Sequence, residues 1–262
     1  MIRIKIRKDI SKKKYTLFAV ASFLVILLIW FVATECGAVQ EIFLPKIQNV
    51  IGYYIESIKD GSLWENMKIS VYRISLGFIL AVVLGIPVGI LVGTFKQAEA
   101  MIRPICEFVR YMPVPAFVPL IMVWVGIGES AKITVIFIGT FFQLVLMVAD
   151  DAMSVPDDLL NAGYTLGTDS KMTIFKILIP AMMPRLMETL RMMIGWAWTY
   201  LVSAELVAAS TGLGYTILKS QRFLKTDAIF GGIILIGLLG LITDRIFAFV
   251  NKKLFHWAEG GR

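Results

Sequence analysis

The chain has 262 residues, 58% of them hydrophobic and 17% charged, with a net charge of +7. A soluble domain is about 25% charged, and the mean hydropathy here is +0.77, which excludes an ordinary water-soluble globule. A single histidine and two cysteines are too few for a clustered metal site.

Residues 1–16 form a basic arm with Arg3, Lys5, Arg7, Lys8, Lys12, Lys13 and Lys14. Basic residues directly before an apolar run hold a terminus in the cytoplasm and attract anionic lipid, a reading that outweighs nucleic-acid binding. Crossing about 30 Å of hydrocarbon takes roughly 20 apolar residues, and Leu17–Ala33 is the first run of that kind. It is longer than a secretory signal core, and Thr34, Glu35, Cys36 and Gly37 behind it offer no A-x-A cleavage site. A retained helix is expected. Ile47, Val50, Ile51, Tyr54, Ile55 and Ile58 then recur at helical spacing, which predicts an amphipathic helix over Pro45–Lys59 on the outer surface.

Ile69–Gly93 is the second span. Gly85, Gly89 and Gly93 lie four apart and predict close helix packing within the subunit, in preference to a seam between two copies; Pro87 predicts a kink. The third, Ile105–Ile127, holds Pro113, Pro115 and Pro119, with Pro104 just ahead. A helix so interrupted bares backbone groups, tolerated only beside protein or a watery cavity, so Pro113 and Pro115 are candidates for a translocation pathway, a structural kink being the alternative. Ile133–Ala149, Met192–Ala209 and Ala228–Val250 complete about six spans of ~20 residues. They form one membrane domain, 17–251, before a tail at 252–262. Lysine and arginine are more frequent on the segments that fall inside when the N-terminus is inside, so both termini are expected in the cytoplasm. Cys36 and Cys106 then fall near opposite sides, with no disulfide expected, and His256 lies in the solvated tail.

The segment 154–184, between the fourth and fifth spans, is polar yet helix-patterned. Ser154, Pro156, Asp157 and Asp158 predict a helix start. Leu159, Leu160, Gly163 and Leu166 give it an apolar stripe, and Gly167 suits a left-handed stop. Thr168, Asp169 and Ser170 predict a second cap, Ile174, Ile177 and Leu178 face one way, and Pro180 and Pro184 are expected to break the chain before the next span. The result is a compact knob whose stripe must be buried against its own helix ends or a partner.

This segment resembles the loop of ABC importer permeases, which reads E-A-A, three residues, G, nine residues, I-x-L-P. Here Asn161-Ala162-Gly163 is followed at the same spacings by Gly167, Ile177 and Ile179-Pro180. Asn161 replaces the glutamate, Gly163 the second alanine and Ile179 the leucine. The stretches Leu63–Gly93, Arg110–Ile133 and Leu190–Ile217 are similar to the nitrate/sulfonate/taurine branch of these permeases. The resemblance implies an all-α polytopic membrane protein of the type I importer kind, with a cytoplasmic coupling helix. It implies that Asp158, Leu160, Asn161, Ala162, Gly163, Leu166, Gly167 and Pro180 dock an ATP-binding subunit. It further implies a homodimer in the cell (inner) membrane, two ATP-binding subunits and an external substrate-binding protein. No G-x-x-x-x-G-K-[ST] loop occurs here, "GTDSK" lacking the required glycine and hydroxyl, so no cofactor is expected on this chain. ATP and magnesium belong to the partner, and no enzyme activity is expected. The implied cargo is a small anion of the nitrate, sulfonate/taurine or bicarbonate class. Vitamin-precursor or aromatic cargo is the alternative, and a stand-alone secondary transporter, which would more often show an internal repeat, is the rival.

Ionisable and amide groups within spans are costly and mark function. Gln143 and Glu205 are the candidates, with Arg73 expected to pair with Glu205 and shape an outer gate. Arg191 reads as an inner-gate or a snorkelling residue, the second being favoured. The 13 methionines read as flexible apolar filler.

Overall fold

The computed structural model describes residues 10–257, so Arg3, Lys5, Arg7 and Lys8 of the arm and residues 258–262 of the tail, Arg262 among them, lie outside the described residues. The described chain is helical: α1 Lys12–Glu35, α2 Ile47–Lys59, α3 Ser62–Thr94, α4 Lys96–Arg110, α5 Val114–Val125, α6 Glu129–Met153, α7 Asp157–Thr165, α8 Ser170–Thr173, α9 Ile179–Ala208, α10 Leu213–Arg222 and α11 Thr226–Leu254. A π-turn, Ile174–Leu178, joins α8 to α9.

By length and composition, α1, α3, α6 and α11 are able to cross a membrane, and α4 with α5 forms one further crossing bent by 104°. The third span, expected as one helix interrupted by prolines, is therefore two helices. Pro113 stands at the N-cap of α5 and Pro115 in its first turn, where a missing N–H costs nothing. In the interior of a single helix the same prolines would remove bonds, so the chain breaks here. Pro87, by contrast, lies within α3, whose helix is assigned without interruption.

The centre is the α3–α6 pair. Gly77, Gly85, Gly89 and Gly93 lie against Ile136, Leu144, Val148 and Ala152 in turn. Both sequences advance in the same direction, so the two helices run parallel. Since α3 ends at one end of the bundle and α6 starts at the other, α4 and α5 together must traverse the thickness between them. The sixth crossing is α9, whose 30 residues reach about 45 Å at 1.5 Å each. Its first third is tied to the end of α6 through Asp151 and Thr189, and its far end to the start of α3 through Glu205 and Arg73. Arg185, Glu188 and Arg191 dilute its apolar run. The glycine stripe serves packing within the chain, as its spacing predicts, because small residues let backbones approach and core packing fills the rest. An added Cβ at Gly89 would lie 2.6 Å from Val148 Cβ.

The remaining helices wrap this core. α1 is almost wholly exposed along its apolar length and is fastened near its end, where Trp30 donates to Pro45 O at 2.9 Å and packs on Phe230. α2 is amphipathic as predicted. It buries Val50 and Ser57, its Tyr54 hydroxyl donates to Gly231 O on α11, and it leaves Ile51, Ile55 and Ile58 exposed. Burial raises the phenol pKa values of Tyr53 and Tyr54. Arg191 has a carboxylate partner that the sequence did not indicate. It makes a two-point ion pair with Asp244 of α11 at 2.6 and 2.9 Å, because the α9–α11 contact leaves the carboxylate within reach. Cys36 and Cys106 are both free thiols.

Candidate docking loop and pathway residues

The loop between α6 and α9 projects from one end of the bundle. Asp157 and Asp158 stand in the first turn of α7, at the positive end of its dipole. Ser154 does not cap it, contrary to the sequence expectation; its hydroxyl donates to Asp151 O and closes α6 instead. α7 ends in a Schellman motif. Thr168 N donates to Gly163 O at 3.1 Å and Gly167 N to Tyr164 O at 3.0 Å, while Gly167 takes φ +86°. A left-handed residue is what this pair of bonds requires. Asp169 then caps α8, accepting from Met172 N at 2.6 Å.

The two faces of the knob divide cleanly. Leu160, Ile174 and Leu178 pack on the main core. Leu166, 86% exposed, projects outward with Leu159, Tyr164 and Phe175. Asp158, Asn161, Ala162, Gly167 and Pro180 are also exposed. Gly163 was expected on the outward face, but it is buried, and a Cβ there would meet Ile177 Cδ1. Pro180 and Pro184 do not break the chain. Pro180 sits in the first turn of α9 and Pro184 inside that helix, so helix runs from Ser170 through the π-turn into the span. Tyr164 and Phe175 were not singled out from the sequence; their signal was an exposed-side position beside the stripe.

At the opposite end, Arg73 and Glu205, each with no exposed side-chain surface, are joined at 2.7 Å. The network is larger than the expected pair. Arg73 also holds Glu129 through two bonds of 2.6 and 2.7 Å, and Lys132 reaches the same carboxylate at 2.7 Å. Glu205 accepts from Ser70 Oγ and Gly214 N, both at 2.7 Å. Arg73 donates to Thr211 O, Asn66 accepts from Gly212 N and Ser70 from Leu213 N. The α9–α10 turn is thus bound to α3 by its own backbone. Gly212, at φ +125°, lies so close that a Cβ would fall 2.5 Å from the Glu205 carboxylate. Glu129 was missed because its helix start reads only as an acid at a favourable dipole end.

Gln143, in α6, lines a narrow cleft with Arg110, Met112, Val114, Gly139 and Tyr200, beside the α4–α5 break. Pro113 and Pro115 form that break. Arg110 therefore lies level with Gln143, about 21 Å along α6 from Glu129 at 1.5 Å per residue. At the knob end Asp151 accepts from Thr189 at 2.6 Å and pairs with Arg185 at 3.0 Å, while Asp150 pairs with Arg103 of α4 at 3.1 Å.

A six-crossing helical bundle with an apolar-tipped knob on the loop between its fourth and fifth crossings defines the membrane subunit of a transporter. Residues 85–256 match the family of binding-protein-dependent transport system inner membrane components, and the chain belongs to that family. It is accordingly a multi-pass inner-membrane permease of the ABC transporter class, a transport component rather than a catalytic subunit. A Bacillus subtilis permease assigned to aliphatic sulfonate transport (SsuC) is 34% identical over 230-odd residues, covering 89% of this chain and 84% of the relative. The taurine transport system permease TauC of Escherichia coli is 29% identical over 260 residues, covering 97% and 94%. Among solved structures, the MetNI methionine ABC transporter in inward-facing conformations superposes with TM-score 0.59 at 21% identity, over 70% of this chain and 93% of that one; at this identity the likeness is one of fold.

Proposed function

We propose that two copies of this chain line the translocation pathway of an ABC importer for a small anion of the sulfonate class, with nitrate and bicarbonate as chemical neighbours. Two ATP-binding subunits dock on the knobs, holding ATP and magnesium, and a substrate-binding protein rests on the opposite end. The knob lies in the cytoplasm, and both termini with it. The substrate class follows the sulfonate and taurine relatives. Vitamin-precursor or aromatic cargo is the alternative within the same architecture.

The observation that carries the docking reading is the outward apolar cluster of Leu159, Tyr164, Leu166 and Phe175, which nothing among the described residues covers. Exposed apolar groups on a rigid, well-capped element mark an interaction site. Co-expressed with its ATP-binding subunit, the chain is expected to co-purify with it, and alone to hydrolyse no ATP. ATP hydrolysis by the isolated chain, or a knob variant such as Leu166→Asp that still binds the subunit fully, refutes this division of labour.

A further inference from the structure

Building on the anion-permease reading above, we propose that Arg110, Gln143 and Tyr200 form a binding station for a single small oxyanion, part-way along the pathway. The three side chains come from three helices, α4, α6 and α9, and meet at one cleft. No acidic side chain lines that cleft. Arg110 has no carboxylate partner among the described residues; its one polar contact is donation to the Tyr111 hydroxyl at 3.0 Å, with the guanidinium over the Tyr111 ring. The Gln143 amide and the Tyr200 hydroxyl have no hydrogen-bond partner among the described residues, yet no buried side-chain polar atom is left unsatisfied. Their polar atoms are therefore accessible and not sealed in the core, on side chains that line the cleft.

The set presents donors: a guanidinium with five N–H groups, an amide NH2 and a phenol O–H. A planar guanidinium beside neutral donors suits an oxyanion with several acceptor oxygens, such as a sulfonate, nitrate or bicarbonate. A cation would find no negative charge here. The wall is shaped for the phenol. Tyr200 lies over Gly139, where a Cβ would come within 2.8 Å of its ring, so only glycine lets the ring lie there. The break at Pro113 places the start of α5 at the cleft, uncapped by any side chain, and its dipole adds to the same field. Gln143 lies about 21 Å from Glu129 and about 12 Å from Asp151 along α6. Along α6 the station is thus separated from both ion-pair networks, while on α4 the Glu107 carboxylate, three residues before Arg110, is held by Arg103 at 3.1 Å.

The test uses the complex of this chain with its ATP-binding subunit in lipid nanodiscs, without binding protein. It is titrated with taurine, methanesulfonate, nitrate and bicarbonate, and tryptophan fluorescence is followed, since Trp196 stacks on Tyr200. At least one anion should give a saturable response. Tyr200→Phe and Gln143→Leu should each weaken it tenfold or more, Arg110→Gln should abolish it and Arg110→Lys should restore part of it. Lys96→Gln, far out on α4, should leave it unchanged. No response in the wild-type complex, or an unchanged midpoint in Tyr200→Phe or Arg110→Gln, overturns the station. ATP-driven uptake with the binding protein separates the two readings. If the wild type carries one of these anions and the three variants match its KM and kcat, the station falls while the import function stands. If it carries only uncharged or aromatic cargo, the anion reading itself falls.

Discussion

At Gly167 the backbone sits at φ +86° with open space where a Cβ would stand, so strain and not crowding decides what a substitution does. A valine there costs about 1–2 kcal/mol or more and loosens the Schellman turn that aims α7. Gly167→Val is expected to insert normally, to hold the ATP-binding subunit weakly and to lose uptake, as read by pull-down and transport in proteoliposomes. Full transport with normal association would mark the segment as an ordinary loop. Gly163 differs, because its added methyl would press on two side-chain ends, the terminal methyl of Ile177, which can rotate, and the Thr168 hydroxyl at 3.1 Å; Gly163→Ala should be mild. Arg73 is the most exacting residue at the other end. Its removal leaves Glu205 fully buried and short of its main partner, a loss of about 3–5 kcal/mol for a buried pair. Arg73→Ala is expected to lower the melting temperature in detergent sharply. Glu205→Gln, which keeps one acceptor oxygen for either Ser70 or the Gly214 amide and puts no unpaired charge in the core, should lower it less, and equal melting of the two variants would show that the pair is not the core of the network.

Helix pairs show the same dependence on contact. α3 and α6 touch through four glycines, Gly77, Gly85, Gly89 and Gly93, and at Gly89 the opposing atoms include the Val145 carbonyl, 2.8 Å from a built Cβ. Backbone cannot step aside as a flexible side chain can. Gly89→Val should therefore separate the two helices and abolish the folded, monodisperse species seen by size exclusion. Gly237→Ala, in α11 with nothing within 4 Å, should be silent. A well-folded Gly89→Val variant would mean that α3 and α6 are not so closely seated. The break between α4 and α5 has the opposite logic: prolines there give up little, since they stand at a helix start, and they bring Arg110 to the depth of Gln143.

Across the whole molecule, the parallel run of α3 and α6 and the antiparallel return of α9 put the knob, the start of α1 and the end of α11 at one end. Asn251, near the end of α11, donates to Glu188 in the first half of α9. The Arg73 network and α10 occupy the other end. In intact cells a cysteine placed at Gln221 should react with an impermeant thiol reagent added outside, and one at Asn161 should not. Labelling of Asn161 from outside would invert the molecule and remove the docking role with it. On the proposed reading the two ends divide the work: a rigid apolar knob for a motor subunit, and a backbone-bound turn on which α10 rests.

What could be read from the chain alone was whatever depends on near neighbours in sequence. Apolar runs set the spans, four-residue spacing set the glycine stripe, and Gly167 set its turn, since each follows from helix geometry and backbone sterics within a few residues. Arg73 and Glu205 were paired because charges inside spans have so few places to go. The rest needed the tertiary structure. Glu129 as second partner of Arg73, Asp244 as partner of Arg191, Gly163 turned inward, and Arg110 brought beside Gln143 and Tyr200 all depend on how far each helix is rotated and shifted against its neighbours. That rotation is settled by packing along the whole length of a helix pair, and no local stretch of sequence carries it.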